Sequence, residues 1–127
     1  MSRSGYSDDG EHLELWRANV ERTIRGKRGQ AFLKELLQAL EQMPQKRLIT
    51  DALVRSGEVC AIGALGLKRG ICMDSIDQEE PDQVGAAFGI SSMLAQEVVY
   101  MNDETHWRDS PEERWKRMHE WVREQIR

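Results

Sequence analysis

No stretch of this chain approaches the roughly 18 consecutive apolar residues that a membrane span needs. The amino-terminal MSRSGYSDDGEH has no apolar centre of the kind a secretory signal carries. Both absences predict a protein of the cytosol with no membrane partner. Cysteine is scarce too: Cys60 and Cys72 stand twelve residues apart, without Cys-x-x-Cys spacing. On a continuous helix they would be about 18 Å apart, beyond disulfide reach, so two reduced thiols are expected.

Catalytic signatures are equally thin. There is no G-x-S-x-G elbow, no local Cys–His arrangement and no G-x-x-x-x-G-K-[ST] phosphate loop. His12, His106 and His119 are scattered, none at a metal-ligand spacing from a cysteine or a carboxylate. The acids of 74–82 lack the ligand spacing and central glycine of a calcium loop. These gaps predict no metal, no cofactor and no enzymatic activity. Strand alternation and internal repeats are missing as well, which leaves helices.

What is present fits one compact all-α body. The 127 residues, 39% hydrophobic and 31% charged, suffice to bury a core without staples. Residues 1–10 are polar and read as a flexible N-terminus, with 11–127 as a single helical domain. The most apolar stretch is GEVCAIGALGLKRG, from Gly57 to Gly70, with no charge between Val59 and Leu67. As a helix over about 58–69 it has no polar face for water, so it should be enclosed by the others. Its interior glycines cost about 1 kcal/mol each against alanine, which implies close packing in return.

Helical spacing recurs around this element, giving six or seven helices. Leu13, Trp16, Val20 and Ile24 mark the first, stopped by Gly26. Gly29 or Gln30 opens a second, with Phe32, Leu33, Leu36, Leu37, Leu40 and Met43 inward and Pro44 beyond its end. Leu48, Ile49, Leu53 and Val54 predict a short third helix over Lys46–Arg55. Pro81 suits the first turn of a further helix that Gly89 stops, with Val84, Ala87 and Phe88 inward. Ser91 or Ser92 can cap the next, and Ser110-Pro111-Glu112-Glu113 is a strong start for the last.

Charge is segregated. Residues 17–30 carry Arg17, Arg22, Arg25, Lys27 and Arg28 against Glu21 alone. Residues 72–104 carry no basic residue at all, and their acids cluster at Asp74, Asp77, Glu79, Glu80 and Asp82, with Asp103 and Glu104 as an extension. Such asymmetry predicts one basic and one acidic side. In the basic loop 25–30, Arg25, Lys27 and Arg28 are the candidate contacts and Arg22 supports them. That loop reads as a solvated turn, a contact for acidic protein or nucleic-acid backbone, or a nucleotide site. Trp107, in the polar NDETHWRDS, is a candidate contact residue or folds back over the bundle.

Segment 82–101 has the outline of a helix-turn-helix: Gly85 and Gly89 four apart, with Val84, Phe88, Ile90 and Val98 apolar. Its second helix would expose Ser91, Ser92, Gln96 and Glu97, and acidic runs flank it, which opposes DNA phosphates. A helical corner of that shape is the plainer expectation.

Three segments together, RGKRGQAFLKELLQAL, SGEVCAIGALGLKRG and AQEVVYMNDE followed by PEERWKRMHEWV, resemble short, mostly unannotated proteins of bacteriophages and prophages. The resemblance covers roughly residues 17–126 and lends no site residues. It implies a phage-borne accessory protein in the bacterial host cytoplasm, of the kind that binds and blocks host machinery such as CRISPR effectors. The expected function is a non-enzymatic protein-binding module acting through charged patches on a bacterial or phage protein. The alternative is a nucleic-acid-binding regulator using 82–101 and the basic loop.

Overall fold

The computed structural model of the protein describes residues 13–106 and 108–127. The expected loose N-terminus (1–10) and the candidate contact Trp107 lie outside the described residues. Six α-helices, one small hairpin and a single 3₁₀ turn at Met73–Ser75 account for the regular structure among them: α1 Leu13–Arg25, α2 Lys27–Gln42, β1 Val54–Arg55, β2 Glu58–Val59, α3 Ala61–Arg69, α4 Pro81–Phe88, α5 Ser92–Asp103 and α6 Pro111–Gln125. The chain is all-α in character, and its buried side chains form one core drawn from every helix.

Gly26 is the single residue between α1 and α2. Gly29 does not open α2, as its turn preference implied, but sits in the first turn. A Cβ there would lie 2.1 Å from the carbonyl oxygen of Thr23. The start of α2 therefore presses on the end of α1, and only a residue without a side chain allows it. Phe32, Leu33, Leu36 and Leu40 then fill the core against α3 and α6.

The third helix expected over Lys46–Arg55 does not form. That stretch is irregular and ends in an antiparallel hairpin pairing Val54 with Val59 and Arg55 with Glu58. Ser56 and Gly57 both take positive φ at its turn, as a two-residue hairpin loop requires. The apolar spacing was real, since Leu48 and Leu53 are buried, but their backbones bond elsewhere. Leu48 N–H donates to Pro111, Ile49 N–H to Val59, and Leu53 N–H to the Gln78 side chain. N–H groups held by distant partners in this way are taken out of any local helical ladder.

The central helix α3 begins at Ala61, later than expected, because Cys60 is its cap: the Cys60 Sγ accepts from the N–H of Gly63 at 3.4 Å. Ala61 through Gly66 are buried. Gly63 earns its cost, since a Cβ would meet the carbonyl of Leu53 at 2.0 Å. Enclosure fails in the last turn, where Leu67, Lys68 and Arg69 reach the surface. Two adjacent long cations need water, and they carry Leu67 out with them.

The remaining boundaries follow their local signals. Pro81 starts α4, Gly89 ends it at φ 72°, Ser91 caps α5 by accepting from Leu94 N–H, and Ser110 with Glu113 forms a reciprocal capping box on α6. Ala87 is exposed and Gly85 is buried in its stead. Buried polar groups tie the irregular 45–53 segment down. Asn102 accepts from Ala61 N–H and donates to the Ile49 carbonyl, and Arg114 donates to the carbonyls of Leu48 and Asp109. Burial lowers the pKa of Arg114, with Asp109 the largest opposing influence.

Candidate binding surfaces

The basic corner is built from the last turn of α1 and the first turn of α2. Arg22, Arg25, Lys27 and Arg28 are all exposed there. Arg25 pairs with Glu21 one turn back at 3.2 Å. The first turn of α2 contains no acid, and Gly26 offers no side chain to cap it. Cations at that end oppose the helix dipole, so the corner presents positive charge that the helix itself does not call for.

Arg28 reaches across 61 positions of sequence to donate to the carbonyl of Gly89 at 2.8 Å. That residue closes α4, so the basic loop and the helix-turn-helix-like segment meet. Thr23, Gly26, Lys27, Ile90 and Ser91 border a shallow cleft of about 360 Å³ between them. The axes of α4 and α5 are bent by 106° across the three-residue break, within the roughly 90–120° of helix-turn-helix corners. Gly85 permits the bend, because a Cβ would approach the Ile90 carbonyl to 2.8 Å.

One expected feature of that corner is corrected. Glu97 does not face solvent; it is 1% exposed and accepts from both Nη atoms of Arg17 at 2.8 Å. The pair pins α1 to α5, and it also removes Arg17 from the open basic cluster. Its only sequence signal was an acid set among Ala95, Val98 and Val99. Asp103 likewise does not extend the acidic face. It is 8% exposed, and its carboxylate accepts from Asn102.

The acids Asp74, Asp77, Glu79, Glu80 and Asp82 are exposed together on the connector and the start of α4. Asp77 serves its own loop by accepting from Glu79 N–H at 3.1 Å. Elsewhere, His119 stacks on Trp115 with centroids 4.8 Å apart and meets Glu41 at 3.0 Å, joining α6 to α2. Cys60 is buried and Cys72 exposed, and no disulfide joins them. Among the described residues, no three His, Cys, Asp or Glu side chains converge on a common point fit for a metal ion. No single helix among them is long and apolar enough to cross a membrane.

A feature that sequence reasoning passed over is the exposed last turn of α3. Arg69 there binds Glu35 through two bonds of 2.7 and 2.8 Å and also donates to the Phe88 carbonyl. The bond from Arg69 lowers the pKa of Glu35.

The molecule is thus an all-α protein with a basic interhelix loop seated against a helix-turn-helix-shaped corner. Compared with known proteins, the chain matches no family model, no curated protein and no solved structure.

Proposed function

We propose that this chain is a phage-borne, non-enzymatic protein-binding module that acts on host machinery in the bacterial cytoplasm, with a defence system such as CRISPR as a target class. The observation that carries this reading is the placement of its two charged poles. Arg28 is bonded at the C-terminal end of α4, whereas Glu79, Glu80 and Asp82 lie at its N-terminal end. An eight-residue helix is about 12 Å long, about one and a half Debye lengths at physiological salt, so each pole acts on what lies next to it. A uniform polyanion laid along this face would meet attraction at one end and repulsion at the other. A protein surface can match both signs, and such matching gives registry and rapid association.

The test is a crosslinking pull-down from host lysate read by mass spectrometry. The wild type should recover a discrete partner, which reversal of Arg25, Lys27 and Arg28, or of Glu79 and Glu80, should lose. Recovery of no partner, with no change of phenotype in the reversed proteins, would overturn the reading.

A second reading, a nucleic-acid-binding regulator, draws support from the 106° bend of α4 against α5 beside the basic loop. It requires a mobility shift with DNA or RNA at low salt that weakens steeply as salt rises. No shift at low salt removes it.

A further inference from the structure

The exposed side of α4 is charged at its two ends and small in the middle. Asp82 and Gln83 lie one turn before Ala86 and Ala87, so the four share one side of the helix, and all are exposed. Glu79 and Glu80 continue that side beyond the N-terminal end. At the C-terminal end, Arg28 rests on the Gly89 carbonyl, with Lys27 exposed beside it. Between the poles, Ala31 of α2 with Ala86 and Ala87 of α4 border a shallow hollow of about 460 Å³.

Neither pole is neutralised within the molecule. Among the described residues, Lys27 and Arg28 have no carboxylate partner, and Glu79, Glu80 and Asp82 have no cationic one. The other charges bordering the hollow, Arg69 and Glu35, are bound to each other at 2.7 Å and add no net charge. Lys34 on α2 and Lys68, which donates to Gln38, fall on the basic side. Asp77, whose carboxylate accepts from Glu79 N–H, falls on the acidic side.

Cations at one end, acids at the other and small side chains between them make a face complementary to itself. Turned about a two-fold axis near Ala86 and Ala87, each basic pole lies over the acidic pole of a second copy, as an isologous contact requires. We infer that two copies of this chain pair through α4 in antiparallel order, with Lys27 and Arg28 of each facing Glu79, Glu80 and Asp82 of the other. The alanines let the two helices approach closely. A parallel order would set like charges together. The patch is small and polar, so the dimer is of the transient kind, weakened by salt. The inference rests on the two-poled face of the reading above and names its occupant in the free protein. A captured host partner without a dimer sinks only this inference, and a dimer without a captured partner sinks only that reading.

Sedimentation of the full chain should show a dimer at about 50 mM salt that is about tenfold weaker at about 0.5 M. Lys27→Glu with Arg28→Glu makes both poles acidic, and Glu79→Lys with Glu80→Lys and Asp82→Lys makes both basic. Each variant alone should be monomeric, and an equal mixture of the two should pair about as tightly as wild type. A carbodiimide applied to mixed nitrogen-15 and unlabelled chains should join Lys27 of one copy to Glu79, Glu80 or Asp82 of the other. Ala87→Glu, at an exposed helix position that keeps the circular dichroism of wild type, sets two carboxylates at the axis. It should weaken the dimer about tenfold, and it tests the face without touching either pole. A monomer throughout at low salt, a dimer indifferent to Ala87→Glu, or folded reversed variants that stay apart when mixed would each overturn the proposal. So would a dimer dissolved by Leu67→Glu, which would place the contact on the far end of α3.

Discussion

The α1–α2 and α4–α5 corners use one device to opposite ends. In each, a glycine within a helix lets a neighbouring backbone carbonyl approach, Gly29 against Thr23 and Gly85 against Ile90. The α4–α5 corner is capped on both sides of its break, with Gly89 closing one helix and Ser91 opening the next, and its Gly89 carbonyl accepts from Arg28 of the other corner. The α1–α2 corner leaves its helix start without a side-chain cap and places Lys27 and Arg28 there. Close packing of helices is common to both, but only the α4–α5 corner has a side-chain cap on the helix that follows it. The other keeps charge available at the surface, which is what an interaction face needs.

Substitutions can break or sharpen this contrast. The largest effect is expected for Gly29→Ala, whose Cβ would lie 2.1 Å from a backbone oxygen that cannot swing away. Overpacking should outweigh the helix-propensity gain of about 1 kcal/mol and cost about 3 kcal/mol net, read by urea unfolding. Gly85→Ala meets the Ile90 carbonyl at 2.8 Å, so a loss of about 1–2 kcal/mol is expected. If both glycines tolerated alanine without loss, the shared device would be wrong.

Ser91→Ala should cost about 1 kcal/mol, the usual worth of an N-cap, whereas Gly26→Ser, in extended backbone with no contact closer than 3.6 Å, should gain only a few tenths. Thermal melts of the two variants set the capped corner against the uncapped one. The smallest effect is a pH dependence. Arg69, which also bonds the Phe88 carbonyl at the end of α4, holds the pKa of Glu35 below its usual 4.5. A carboxylate depressed in the folded state contributes stability above its unfolded pKa and loses it as pH falls through the folded value. Glu35→Gln should therefore flatten the acid limb of the melting-temperature profile below about pH 4.5 and leave the neutral region nearly parallel to wild type.

The two corners also show how far local sequence reaches. Pro81, Gly89, Ser91 and the Ser110–Glu113 box announced their helix ends because a cap acts within three or four residues and needs no distant partner. The apolar stretch from Ala61 to Gly66 was legible as core for a similar reason, as it carries nothing that water would hold. The segment 46–55 was not legible. Leu48 and Leu53 suit a helix and a buried loop alike, and the choice lay with Pro111, Val59 and Gln78, all outside the segment. Of the candidate surface, the basic residues could be read from sequence, but their meeting with the α4–α5 turn could not. Glu97 was misjudged because its partner Arg17 lies eighty positions away.

Sequence alone determined that this chain is helical, where most of its helices stop, and that its cations and acids fall in separate stretches. Those properties depend on spacing, capping and composition, which act over a turn or two. Tertiary structure decided which charges stay open to a partner, how two distant loops come to share a face, and that Leu67 stands clear of the core. Exposure and partnership depend on what other segments bring to the same place, and chain order does not encode that placement locally.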